Sequence, residues 1–277
     1  SSLTYYNGKF YGMTLTGGSN DMGVIFEWDP VANTYTKKID LDAANGIYPF
    51  GALALKDGKF YGMTLYGGAN DKGVIFEWDP ANNTYTKKID FNGTNGSYPF
   101  GSLSLSNGKF YGMTNGLEGQ NGSTSKGVIF EWDPSNNQYT KKYDFNGVDG
   151  RAPLGSLTLS GNKFYGMTLS GGNSDRGTIF EWDPITNAYT KKHSFNDTDG
   201  MGPRKDLSLL AVPVASGIAN NCVSFPPVTI DNTNNNDWVP IIDDLGNAVA
   251  EIRANGNVLG VVNASMYINN GTVREDG

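Results

Sequence analysis

Gly58-Lys59-Phe60-Tyr61-Gly62-Met63-Thr64, followed ten residues on by Val74-Ile75-Phe76-Glu77-Trp78-Asp79-Pro80, is the stretch whose recurrence decides the fold. Its first half returns from Gly8 and Gly108, and again from Asn162, with Asn in place of the leading Gly. Its second half returns with Ile-Phe-Glu-Trp-Asp-Pro ending at Pro30, Pro134 and Pro184. The tryptophans Trp28, Trp78, Trp132 and Trp182 are spaced by 50, 54 and 50 residues. The extra four lie in 115–126, where a longer Gly/Ser/Asn tract replaces the Gly pair, so that stretch is a loop in every copy. A fixed period of this length is the signature of a repeat architecture.

Each copy reads as four strands. In the second, a short apolar run Ala52–Leu55 leads through the turn Lys56-Asp57-Gly58 into Lys59–Thr64. Gly67-Gly68 and a polar loop to Lys72 precede Val74–Asp79, which Pro80 stops, and Ala81-Asn82-Asn83 turns the chain into Thr84–Asp90. Asp-Pro-x-x-Asn is strong turn chemistry, because Pro fixes φ and Asn tolerates the left-handed conformation. The third strand is apolar on both faces, with Val74 and Phe76 on one and Ile75 on the other, as a sheet packed between two others requires. Four short strands per repeat of this length predict an all-β, kelch-like β-propeller-type array of four blades over residues 1–210. Helical solenoids need a 3.6-residue period that is absent.

Gly67-Gly68, Val74 to Pro80 and Asn83-Thr84-Tyr85-Thr86-Lys87 resemble a kelch motif. More specifically, Ser-Leu-x-Leu, Lys-Phe-Tyr-Gly-Met-Thr, Gly-Gly and Gly-Val-Ile-Phe-Glu-Trp in succession resemble the Gloeo/Verruco repeat over about residues 1–209. That resemblance implies an exported bacterial surface protein and attaches no activity to the repeat. Lys205-Asp206-Leu207-Ser208-Leu209 matches the opening of a further copy, and Ser2–Tyr5 is the same strand at the front. The array is therefore either four blades plus one closing strand or the remainder of a longer one. The reading preferred here is a complete four-bladed ring, since propellers of roughly four to eight blades occur.

Composition narrows the function classes. The 277 residues include 37 Gly, with 12% aromatic and only 18% charged residues, which suits strands and tight turns. A net charge of −7 argues against nucleic acid, whose non-specific affinity comes from Lys and Arg, and against an anionic membrane surface. Membrane insertion is not expected, because the longest apolar run, Leu209 to Ile218, is short and broken by Pro213 and Gly217. No initiator Met or signal peptide is present, so the chain reads as a processed or excised portion of a longer one. The single cysteine, Cys222, forms no disulfide within the chain, leaving a lone buried thiol or a partner elsewhere.

Past residue 210 the pattern changes. Residues 211–236, with Pro226-Pro227 and the tract Asn232 to Asn236, read as a linker holding one short strand, Val228–Asp231. Residues 237–277 alternate again through Val239–Asp243, Ala248–Ala254, Val258–Asn263 and Met266–Asn269, with Gly246-Asn247, Asn255-Gly256 and Asn270-Gly271 as hairpin turns. This predicts the start of a second all-β domain, partly sandwich-like and truncated. Trp238 to Asp243, Gly246 to Ile252 and Tyr267 to Asp276 resemble a domain near the C-termini of exported Bacteroidetes proteins, ahead of a type IX secretion sorting domain.

Catalytic chemistry is hard to find. His193 is the only histidine, and Ile39, Ile89 and Tyr143 occupy its place in other copies, so it reads as a strand residue. One His and one Cys rule out a zinc site in practice. Glu27, Glu77, Glu131 and Glu181 each stand beside a Trp, but an active site breaks symmetry, and either hydrogen bonds from a neighbouring blade or a pairing with a lysine such as Lys9 explains them. Alternating oxygen ligands next to Gly at Asp90, Asn92 and Asn95, and at Asp144, Asn146 and Asp149, suggest calcium, although the spacing is not that of an EF-hand. No other cofactor is implied. Specificity resides where loops vary. Tyr66 faces Thr16 and Ser170 in other copies, and Tyr48, Tyr98, Asn115, Glu118 and Gln120 complete the ligand-binding candidates. The expected function is a secreted or cell-surface bacterial module that binds an extracellular glycan or protein, with self-association a further prospect and near-identical copies suiting multivalency. The competitors are a carbohydrate-active enzyme on a propeller scaffold and a purely structural spacer or fibre component.

Overall fold

The computed structural model describes residues 2–117 and 125–208, together with five strands of the tail between 238 and 275. The chain divides into two compact units, 1–209 and 210–277. The first holds four four-stranded antiparallel sheets, each a meander in chain order. Blade 1 comprises Thr4–Tyr6, Lys9–Met13, Val24–Asp29 and Thr34–Asp40. Blade 2 comprises Ala54–Lys56, Lys59–Thr64, Val74–Asp79 and Thr84–Asp90, and blade 3 comprises Ser104–Ser106, Lys109–Thr114, Val128–Asp133 and Gln138–Asp144. Blade 4 comprises Thr158–Ser160, Lys163–Thr168, Thr178–Trp182 and Tyr189–Ser194. No helix occurs among the described residues, so none is long and apolar enough to cross a membrane.

The innermost strands start later than the alternation predicts. Residues 52 and 53 leave the ladder because Ala52 N–H donates to Ser102 Oγ at 2.8 Å, and Ser102 N–H in turn to Ser156 Oγ at 2.8 Å. Gly51, Gly101 and Gly155 form an axial file: a Cβ on Gly51 would sit 2.3 Å from Gly101 O, so backbones meet where no side chain fits. At the outer edge, Asp29, Asp79, Asp133 and Asp183 each accept a backbone N–H two residues on. The turn then closes on a left-handed Asn, Asn33, Asn83, Asn137 or Asn187, as the Asp-Pro-x-x-Asn chemistry requires.

The hydrophobic cores lie between blades. Tyr11, Met13 and Ile25 of blade 1 pack with Leu53, Phe60, Val74, Phe76 and Trp78 of blade 2. Tyr61, Met63 and Ile75 meet the matching residues of blade 3, and Tyr111, Met113 and Ile129 those of blade 4. The ring of Tyr11 lies 4.5 Å from Phe60 and 5.8 Å from Trp78, and these spacings recur as 4.7 and 5.7 Å for Tyr61 and as 4.7 and 5.8 Å for Tyr111. Polar bonds repeat with them. Tyr85, Tyr139 and Tyr189 donate their hydroxyls to the carbonyls of Asn45, Asn95 and Asp149 in the preceding loop. Asn83, Asn137 and Asn187 donate their amides to the carbonyls of Lys38, Lys88 and Lys142. Burying each Phe or Trp contributes about 1.5–3 kcal/mol, so every junction is a substantial core.

The expectation of a complete four-bladed ring is not met. Had blade 4 closed onto blade 1, Phe10 and Trp28 would be covered as their equivalents are. Both are instead partly exposed, and Tyr35 and Leu3 are 58% and 49% exposed. Phe60, Phe110 and Phe164, with Trp78, Trp132 and Trp182, are fully buried. At the far end, Thr158 Oγ1 donates to Leu207 O at 2.6 Å, just as Thr4 donates to Leu53 O. Chain past blade 4 thus enters the place of a fifth blade rather than returning to the first. The array is open.

In the tail, Trp238–Ile242, Ala248–Arg253 and Val258–Leu259 form a three-stranded antiparallel sheet, and Met266–Asn269 pairs with Thr272–Glu275 as a hairpin. The expected linker 211–236, its strand Val228–Asp231 and Cys222 lie outside the described residues.

Candidate functional site

The loops that carry the chain from one blade to the next bring three of the sequence candidates together. Tyr48 and Tyr98 occupy equivalent positions and are left-handed, at φ 56° and 57°. The cause is a clamp. Tyr48 N–H donates to Met22 O of blade 1 while its carbonyl accepts from Leu65 N–H of blade 2, and Tyr98 bridges Lys72 and Asn115 likewise. A non-glycine residue held there stores about 1–3 kcal/mol of strain. Between them, Tyr66 exchanges both backbone hydrogen bonds with Ile47, which fixes it beside the junction. Its ring centroid is 6.2 Å from that of Tyr48 and 5.3 Å from that of Tyr98, edge-on to both. Tyr98 is buried, at 3% exposure, while Tyr48 and Tyr66 remain half-buried.

Asn115 does not join them. It is 3% exposed, its amide donates to Pro153 O at 3.2 Å and its side-chain carbonyl accepts from Leu117 N–H. This residue braces the junction between blades 3 and 4 rather than facing a ligand. Glu118 and Gln120 lie outside the described residues.

A second aromatic surface was not anticipated. Phe50 and Phe100, two residues beyond Tyr48 and Tyr98, meet edge-on at 5.3 Å. They line an axial groove of about 360 Å³ with Gly51, Gly101, Leu154 and Arg204. Phe50 is 48% exposed. Tyr-Pro-Phe at 48–50 and 98–100, against Ala152-Pro153-Leu154 in the next copy, carried the signal.

The repeated glutamates are each held between two lysines of their own blade. Glu27 accepts from Lys9 at 2.8 Å and Tyr11 at 3.0 Å and pairs with Lys38 at 3.3 Å, all within blade 1. Glu77, Glu131 and Glu181 take the same lysine pairs. Burial opposes ionisation of Glu27, Glu77 and Glu131, but the lysines outweigh it and hold each carboxyl below its usual range. Lys163 and Lys192 bring Glu181 down to about 2. Burial, aided by the carboxylate, pushes Tyr11 and Tyr111 up to about 12. A carboxylate fixed between two ammonium groups is no general acid at neutral pH.

The residues proposed for calcium make local bonds. Asp90 accepts from Ala69 N–H at 2.7 Å and pairs with Lys87 at 3.1 Å, while Asn92 and Asn95 bond each other's backbones. Asp144 pairs with Lys141 at 2.8 Å, and Asp149 accepts from Asn146 and Tyr143. Asp144 and Asn146 line a cleft of about 290 Å³ that also contains Lys126 and Lys141. Among the described residues no cluster of three or more His, Cys, Asp or Glu is placed to hold a metal ion. His193 sits in the last strand of blade 4, 3.1 Å from Asp199 and against the ring of Phe195.

Comparisons with known proteins place the array. No curated protein matches the chain. TolB from Acinetobacter baumannii superposes with a TM-score of 0.44 at 13% identity, covering 66% of this chain and 40% of that one. A chain of the nidogen/laminin complex gives 0.49 at 14%, covering 72% and 65%. The extracellular domain of the putative hybrid two-component system BT4673 from B. thetaiotaomicron gives 0.47 at 11%, covering 74% and 23%. The chain thus spans less than two thirds of each of these three. The Gloeobacter/Verrucomicrobia repeat model matches residues 1–123 and 116–211, most of the chain, and the protein belongs to that repeat family.

Proposed function

We propose that the array is a glycan-binding module of an exported bacterial surface protein, with Tyr48 and Tyr66 as its stacking platform. The observation that carries this reading is the convergence of Tyr48, Tyr66 and Tyr98 at one pair of junctions, where other copies carry Thr16, Ser170, Ala152 and Gly202. Half-buried rings whose backbones are fixed, Tyr48 by its clamp and Tyr66 by its bridge to Ile47, are rigid and amphipathic, which suits the faces of sugar rings. Such a site needs no ionisable group, in keeping with glutamates that are neutralised by lysines. Export and surface display rest on the family and on the tail's likeness to domains that precede type IX sorting signals.

Screening the whole chain on a glycan array, then titrating the best ligand by calorimetry, tests the reading. Tyr66→Ala is expected to weaken binding about tenfold, a loss of about 1.4 kcal/mol. Tyr5→Ala, at an exposed aromatic 61% open in the first strand of blade 1, is expected to leave binding unchanged. Equal loss in both variants, or no glycan bound at all, would sink the proposal.

A further inference from the structure

Three junctions inside the chain are built from one set of contacts, and the chain ends of the array carry the two unmatched halves of a fourth. Blade 1 presents Phe10, Trp28 and Tyr35, whose equivalents in blades 2–4 are covered by a Tyr, Met and Ile from the blade before. Blade 4 presents that Tyr-Met-Ile set as Tyr165, Met167 and Ile179, all partly exposed, where the matching residues of blades 1–3 are buried. The partner that fits the leading face of blade 1 is therefore the trailing face of another blade of this repeat.

We infer that the array associates head to tail with a second copy of this chain, blade 4 of one docking on blade 1 of the other. Continuity with the internal junctions fixes the contacts. Tyr165 of one copy covers Phe10 and Trp28 of the other, as Tyr11 covers Phe60 and Trp78. The Tyr35 hydroxyl donates to Asp199 O, as Tyr85 does to Asn45 O, and Asn33 donates its amide to Lys192 O, as Asn83 does to Lys38 O. Two such contacts related by a two-fold axis join four blades to four, giving eight, at the upper end of the roughly four-to-eight blades that close propeller rings. The first-strand place beside blade 4 is already held by Leu207. Docking therefore exchanges one first strand for another. The strand that yields is Thr4–Tyr6, a three-residue edge whose neighbour Leu3 is 49% exposed. Leu207-Ser208-Leu209 carries the Leu-x-Leu of blades 2 and 3, where blade 1 has Leu3-Thr4-Tyr5.

Sedimentation of the full chain over a concentration series, with cysteine trapping, tests this. All trapping variants carry Cys222→Ser. A mixture of Asn33→Cys and Lys192→Cys chains is expected to oxidise to a covalent dimer that neither chain gives alone. Asn83→Cys with Lys38→Cys in one chain is the internal control, linking blades 1 and 2. The mass is expected to rise from 29.9 kDa toward twice that value with concentration, and Phe10→Arg is expected to hold the chain at the monomer mass. A chain that stays monomeric throughout, or a dimer that forms equally with Phe10→Arg, would overturn the inference.

Discussion

Blades 1 and 2 carry the same strings, Lys-Phe-Tyr-Gly-Met-Thr and Val-Ile-Phe-Glu-Trp-Asp-Pro, in the same four-stranded meander. Yet Phe60, Phe76 and Trp78 are fully buried, while Phe10, Phe26 and Trp28 are not. The difference is the neighbour. A blade of this repeat has two apolar faces and no core of its own, so its stability is a sum of local terms and of contacts with the blades beside it. Blade 2 has both contacts, and blade 1 lacks one.

The largest test of that difference is a matched pair of truncations. Trp78→Ala removes a fully buried indole from the junction and its N–H bond to Asn83 at 3.0 Å. It is expected to cost about 3–5 kcal/mol in urea unfolding at low protein concentration. Trp28→Ala, the same change on the open face, is expected to cost less than half as much. Equal costs would break the comparison by showing that blade 1 is covered.

A smaller effect sharpens it from the other side. The Glu-Lys-Lys clusters lie within blades, so Glu27 and Glu77 have the same partners and are expected to respond alike. Their carboxyls are held below the usual 4.5, so the unfolded chain binds more protons as pH falls through that value. Their stabilisation is full above about pH 4.5 and is lost on the way down through the lowered folded values. Glu27→Gln and Glu77→Gln are each expected to lower Tm at pH 7 by about 1–3 °C and to flatten its fall on acidification. A markedly larger effect at Glu77 would mean that this cluster also serves the junction.

Much of the array was legible because punctuation is local. Pro80 and Gly58 end strands wherever they stand, and the second, third and fourth strands of blade 2 fall at the residues the alternation implies. The first strand was displaced because Ala52 bonds to a serine of the next blade, a contact 50 residues away that no local pattern records. Ring closure depends on the angle between blades and was misread for the same reason. At the site, Tyr66 stood out as a departure from the repeat, and it meets Tyr48 and Tyr98, which were candidates although two copies share them. Asn115 stood out equally, but an inserted loop can mark a brace as well as a ligand contact, and its burial separates the two. Phe50 and Phe100, in the same Tyr-Pro-Phe strings as Tyr48 and Tyr98, were passed over because their meeting across 50 residues is a contact that no local pattern records.

Hydrogen exchange of the second strands tests the open array most directly, since Lys9–Met13 and Lys59–Met63 have identical sequences and hence identical intrinsic rates. At a concentration where the chain is monomeric, amides of Lys9–Met13 are expected to exchange markedly faster than those of Lys59–Met63. Equal protection of the two strands in the monomer would contradict the account, because it would require the face of blade 1 to be covered within a single chain.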